Sequence, residues 1–288
     1  MERQIRASEL PMQSDGAIYH LNLHTEELAD KVILVGDPGR VEMISSMFDT
    51  VEVRRQNREL VTRTGTYKGK RISVISTGMG TDNIDIVLTE LDALVNIDPK
   101  TRLVRDELRA IDIVRIGTSG ALQPDIEVGT AVASSFGLGI DGMLQFYDYG
   151  NHFRDDIVDA FIRHTNWNSR LPRPYCTPAS PVLLDRIAYD MHKGVTVSAP
   201  GFFGPQGREV RAPLKFPELN RMIETFDYQG CEITNMEMEC SAIYGLGSIL
   251  GHHALTVCLI IANRVTGNFL DNYHDQMESL CRKVLDRF

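Results

Sequence analysis

Cysteine is scarce and scattered in this chain. Cys176, Cys231, Cys240, Cys258 and Cys281 form no CxxC pair in 288 residues, which argues against a disulfide framework and against a zinc cage. Free thiols in a reducing compartment are expected. Positive charge is also in deficit: 30 Lys and Arg stand against 39 Asp and Glu, a net charge of −9 with a pI of about 5.4. No overall field exists to collect nucleic acid or an acidic membrane surface, so any bound anion must be met by a local site. Uninterrupted apolar runs of membrane-spanning length are missing, and Met1 to Ser14 lack the apolar centre of a secretory signal; a cytoplasmic location is expected. A GxxxxGK(S/T) loop is absent, and Gly78-Met79-Gly80 is followed by Asn83 where a dinucleotide fingerprint needs glycine. A nucleoside triphosphate or NAD is therefore disfavoured.

What is present is an alternation. Short, glycine-bounded, β-branched runs predict buried strands at Val32–Val35, Ile72–Ile75, Ile111–Ile116, Thr130–Ser134, Val195–Ser198 and Leu255–Ala262. Helical apolar spacing lies between them, at Arg40–Phe48, Asn83–Asn96, Arg154–His164, Pro181–His192, Pro217–Phe226, Met238–Leu250 and Asn272–Phe288. This order predicts an α/β fold with a parallel or mixed sheet covered on both faces. Without an internal repeat or polar linker, residues 1–288 are expected to form one domain. Two segments fall outside the alternation: the charged stretch Asp98–Ala110 and the Pro/Gly-rich stretch Pro200–Pro217, the latter long enough to be a binding loop.

Four segments carry chemistry. Gly36-Asp37-Pro38-Gly39-Arg40 joins a strand end to a helix start, where free backbone N–H groups favour an anion. Arg115-Ile116-Gly117-Thr118-Ser119-Gly120 places an arginine inside an apolar strand, costly unless it meets an anion or a carboxylate. A structural bridge to an acid such as Glu90 is the alternative there; with Arg40 and the hydroxyl-bearing turn beside it, phosphate is favoured. Asn235-Met236-Glu237-Met238-Glu239-Cys240 sets two acids two residues apart. Extended, they share one face and can accept from sugar hydroxyls; at a helix start, they are held by its dipole. Finally, Gly201-Phe202-Phe203-Gly204-Pro205-Gln206-Gly207-Arg208 joins aromatic rings to a Gln/Arg pair able to stack a flat ring and bond its edge. His252-His253 has no metal-ligand spacing, and Met43 and Met47 are expected in the core.

Taken together and in order, these segments resemble the nucleoside phosphorylase family, in particular its uridine-cleaving branch, from Tyr19-His20 to Asn263-Arg264. The resemblance implies a three-layer α/β/α fold with a central mixed sheet, and reversible phosphorolysis of uridine to uracil and ribose 1-phosphate. Inorganic phosphate is then co-substrate, no cofactor or catalytic metal is needed, and a monovalent cation at a subunit interface is admitted. It implies phosphate binding by Gly36, Arg40, Arg115 and Thr118, with Arg58 supplied by a neighbouring subunit. Ribose would be held by Glu237, Met238 and Glu239, with His20 reaching across the same interface to the 5′-hydroxyl. Phe202, Gln206, Arg208 and Arg264 would meet the base. Catalysis would fall to Arg40, Arg115, Gln206, Arg208 and Glu239, in a homo-oligomer that is at least a dimer. Asn263 stands where purine-cleaving relatives carry an aspartate, which disfavours purines. The connection at Asp98–Ala110 is longer than in the bacterial uridine branch, and Thr81-Asp82-Asn83 replaces a Gly-Pro-Ser type turn. A water-using nucleosidase and a non-catalytic nucleoside-binding protein are the competing readings, and 2′-deoxy and 5-substituted substrates are not distinguished.

Overall fold

The computed structural model describes residues 3–288; Met1 and Glu2, at the head of the segment read as lacking a signal, lie outside the described residues. Strand β1 (Lys31–Val35) runs parallel to both β4 (Lys70–Ser76) and β5 (Asp112–Ala121), and β5 runs parallel to β11 (His253–Asn263). On one side the antiparallel hairpin β2 (Thr50–Asn57) and β3 (Leu60–Tyr67) extends this core from β4. On the other, β6 (Ala131–Gly139) joins β11 antiparallel, then β8 (His192–Ser198), β10 (Cys231–Glu237) and the short β9 (Asp227–Tyr228) follow, with β7 (Tyr175–Pro178) on β6. The sheet is mixed and carries helices on both sides, as expected.

The central strands are continuous apolar runs because both faces are covered: Val32 to Val35, Ile113, Val114, Ile116, Leu255 and Val257 have no exposed surface. The helices are α1 (Pro38–Ser45), α2 (Thr81–Asn96), α3 (Asp155–Thr165), α4 (Pro181–Ile187), α5 (Leu219–Glu224), α6 (Cys240–Ile249) and α7 (His274–Arg287). Asp37 caps α1 through Gly39 N–H at 2.9 Å, with Pro38 in its first turn.

Several boundaries differ from the sequence reading. Helix α4 ends at Ile187 rather than continuing to His192, which opens β8 instead. The Ile187 carbonyl is taken by Arg287 at 2.7 Å, and Asp190 pairs with the same guanidinium, so α7 fixes the stop. Helix α6 starts at Cys240, two residues late, and α5 is trimmed at both ends. Strands β2, β3, β7, β9 and β10 are not among the strands expected from apolar runs. The edge strand β2 alternates exposed and half-buried residues, while β10 buries Thr234 and Asn235 in a hydroxyl network between the apolar Ile233 and Met236. The unexplained stretch Asp98–Ala110 grips the N-terminal arm: Arg102 donates to the carbonyls of Ile5 at 2.8 Å and Arg6 at 3.0 Å, and to that of Leu10.

Candidate active site

The C-terminal ends of β1, β5 and β10 converge on one cleft of about 640 Å³, the usual location for a site in an open α/β sheet. All four sequence segments line it, through Gly36, Arg40, Arg115, Thr118, Phe202, Gln206, Arg208, Glu237, Met238 and Glu239.

At one end sits Arg40, 8% exposed, donating from Nη1 to the Ile116 carbonyl at 3.1 Å. No carboxylate among the described residues lies within ion-pair distance of it, and burial pulls its pKa down. A desolvated guanidinium with donors to spare and no acid is set up to receive an anion.

Arg115 differs. It binds Glu237 (Nη1 to Oε2, 3.2 Å) and Glu239 (Nη2 to Oε2), so the bridging partners are the two cleft acids and not Glu90. Burial opposes its charge, but Glu239 and Glu237 outweigh burial and raise its pKa. Its Nε is buried and is the one nitrogen of the guanidinium with no partner. Gly117 makes room for this path, since a Cβ there would overlap Nη1 of Arg115.

The two acids divide the readings offered by their spacing. Glu237 ends β10 and accepts from the backbone N–H groups of Glu239 and Cys240, both at 2.9 Å, so it caps the start of α6. Ser198 Oγ adds a donor at 2.6 Å. Burial, only partly offset by Arg115, and then the neighbouring Glu239 push its pKa up to about 7. Glu239 instead accepts the Gly80 N–H at 2.7 Å while lining the cleft. Gly80 has φ +98°, a backbone that favours glycine.

At the opposite end, the loop after β8 folds into a 3-10 turn at Gly204–Gln206, closed by Gly207 at φ +69°. The Arg208 guanidinium stacks over the Phe202 ring at 3.8 Å, and its Nη1 donates to Gln206 Oε1 at 2.5 Å and to the Phe202 carbonyl at 2.6 Å. Burial first, then Arg264, lowers the Arg208 pKa to about 10, so it stays charged at neutral pH.

Three predicted site residues do not line the cleft. Arg264 lies against Met236 Sδ at 3.7 Å, behind it. Arg58 stands exposed at the β2–β3 turn with φ +52°. His20 is held by Glu90, with Nδ1 2.6 Å from Oε1 and the backbone N–H groups of His20 and Leu21 donating to the same carboxylate. Asn57 ties the last two together by donating from Nδ2 to the carbonyls of Tyr19 at 3.1 Å and His20 at 3.0 Å. Conversely, Met79, Phe269 and Tyr273 line the cleft without being among the expected site residues. Asn263 is spent on backbone from two segments: Nδ2 donates to the Gln123 and Ile126 carbonyls after β5, and Oδ1 accepts from the Val265 and Thr266 N–H groups of its own loop.

Residues 30–288 match the family described as the phosphorylase superfamily. The chain belongs to that superfamily. A uridine phosphorylase of Thermococcus kodakarensis is 30% identical over 278 residues, covering 93% of this chain and 86% of that protein. A DeoD-type purine nucleoside phosphorylase of Colwellia psychrerythraea is 28% identical, covering 92% and 98%. Among solved structures, a nucleoside phosphorylase of Trypanosoma brucei, described as showing uridine phosphorylase activity, superposes with a TM-score of 0.87 at 31% identity, covering 96% of this chain and 98% of that one. The relatives of this phosphorylase thus include both uridine- and purine-named proteins.

Proposed function

We propose that this phosphorylase is a uridine phosphorylase, a pentosyltransferase that carries ribose from uracil to inorganic phosphate. The observation that carries the reading is the pairing, in one cleft, of a buried arginine without an acid, Arg40, and a Gln206/Arg208 edge stacked on Phe202. The uridine phosphorylase names of the relatives support the same choice.

Cleaving the C–N bond leaves positive charge on the ribose and negative charge on the base, and both must be stabilised in place. Phosphate at the Arg40 end, held with the Gly36 N–H, Thr118 Oγ1 and the Arg115 guanidinium, lies under C1′. One phosphate oxygen bonds C1′ as the base departs with the bonding pair, inverting that carbon. Glu239, already oriented by Gly80 and Arg115, takes the ribose hydroxyls, with Met238 against the sugar. Gln206 and Arg208 receive the charge on uracil, which develops only as the bond breaks and so raises turnover. His20 and Arg58, tied together by Asn57 and standing off their own cleft, complete the site of a neighbouring copy.

Uracil release from uridine, with and without millimolar phosphate and with inosine as the purine control, tests the reading. Phosphate-dependent cleavage of uridine alone supports it. Cleavage without phosphate indicates a nucleosidase, and inosine cleavage overturns the base assignment. Against inosine stands Asn263, whose amide is committed to backbone on both sides and offers no acid.

A further inference from the structure

Glu90 is a buried acid that the reaction as described does not use. It lies on α2, 4% exposed, and no lysine or arginine among the described residues stands within ion-pair distance of it. N–H groups of one short segment meet its charge instead. The backbone of Leu21 donates to Oε2 at 2.8 Å, that of His20 to Oε1 at 3.0 Å and Oε2 at 3.1 Å, and the His20 ring stands with Nδ1 2.6 Å from Oε1. A carboxylate satisfied in this way fixes the direction of the ring together with that of the chain.

The ring contact decides which nitrogen carries the hydrogen. A carboxylate only accepts, so Nδ1 is the N–H of His20, and in the neutral imidazole Nε2 on the far side is a bare acceptor. Nε2 has no partner among the described residues, and 28% of the side chain stays open to solvent. Asn57 holds the carbonyls of Tyr19 and His20, the Tyr19 ring meets the imidazole edge-on at 5.0 Å, and Leu21 is fully buried. The segment is thus a rigid mount for one exposed lone pair.

We propose that Glu90 is a positioning residue for the reaction in the neighbouring copy: by taking the Nδ1–H of His20 it leaves Nε2 as an acceptor, which makes that site selective for nucleosides whose 5′-substituent donates a hydrogen bond. The proposal rests on the reading of His20 as part of a neighbouring uridine site. A 5′-hydroxyl or a 5′-ammonium satisfies Nε2; a substituent of similar size without a hydrogen to give leaves it unpaired.

Nitrogen NMR of the full chain carrying ring-labelled histidine, at about pH 8, reads the tautomer directly, with the His20 signals assigned by their loss in His20→Asn. Native His20 is expected as the Nδ1–H form. In Glu90→Gln the amide oxygen can still accept the backbone N–H groups while the amide NH2 faces Nδ1, so the Nε2–H form is expected there. Turnover of 5′-varied nucleosides reads the consequence. Relative to uridine, 5′-deoxy-5′-fluorouridine should lose about tenfold in kcat/KM, and 5′-amino-5′-deoxyuridine, as its ammonium ion, should stay within about threefold. Glu90→Gln should cost uridine no more than about threefold, because a hydroxyl can turn to accept, and should cost the 5′-ammonium about tenfold or more. A merely structural role would lower all three substrates alike.

An Nε2–H or doubly protonated ring in the native protein, equal cleavage of uridine and its 5′-fluoro analogue, or a uniform loss in Glu90→Gln overturns the role of Glu90 while leaving the uridine reaction in place. If that variant does not fold, the native tautomer and the native substrate series decide. Failure to cleave uridine at all would overturn the reaction and this role with it.

Discussion

Nη1 of Arg115 lies 3.2 Å from Oε2 of Glu237, whose carboxylate at the same time closes the first turn of α6. One buried contact therefore joins the strand that carries the proposed phosphate residues to the helix start that carries the proposed ribose carboxylate.

Because the folded-state pKa of Glu237 is raised to about 7, the folded chain holds a proton that the unfolded chain has already released over the interval below it. This contribution to stability is complete in acid and is lost as pH rises through about 7. Urea midpoints measured between about pH 5 and pH 8 should decline with pH in the native sequence and decline less in Glu237→Gln. Parallel curves would place the buried proton elsewhere.

Removing the cation strands two acids. Arg115→Met should cost about 3–5 kcal/mol in unfolding free energy, with Glu239→Gln in the same chain recovering part of it. Thermal and urea unfolding of both variants measure this, and a loss under 1 kcal/mol would mean that the triad is better hydrated than its burial indicates.

Gly117→Ala reaches the same triad by another route, since its methyl occupies the path of Nη1. Activity should fall about tenfold or more with an intact fold by circular dichroism. An unaltered kcat/KM would show that the guanidinium can relocate freely.

The two ends of the cleft should separate kinetically. Arg40→Met is expected to raise the KM for phosphate about 10- to 100-fold, the equivalent of one charge-assisted contact, with little effect on uridine. Arg208→Ala should do the converse and blur the preference for uracil. Steady-state kinetics with each substrate varied decide it; both variants acting on the same KM would refute the assignment of ends.

Sharing of sites between copies predicts complementation. At a phosphate concentration well below the raised KM of either variant, Arg40→Met and Arg58→Ala subunits, each strongly impaired alone, should on mixing and reassembly regain up to about one quarter of native activity if the unit is a dimer. No recovery in a mixture shown by mass to contain hybrid dimers would keep Arg58 out of the neighbouring site.

By itself the sequence determined the alternation of strand and helix, the buried central strands and the four cleft segments, because each is written locally. Apolar runs encode strands with two covered faces, Asp37-Pro38 encodes a capped helix start, and Gly/Arg/hydroxyl turns mark the strand ends that line the cleft. Tertiary structure decided what local pattern cannot hold. That Arg115 pairs with Glu237 and Glu239 instead of Glu90, while Glu90 takes His20, depends on which carboxylates the sheet and α2 bring within reach, over separations of 122, 124 and 70 residues respectively. The edge strand β2 carries no apolar run, because it gains its stability from pairing with β3 and not from its own apolar content. The close packing of Asn220 on α5 against Gly207 in the loop after β8 is likewise a contact between segments whose sequence carries no mark of the other.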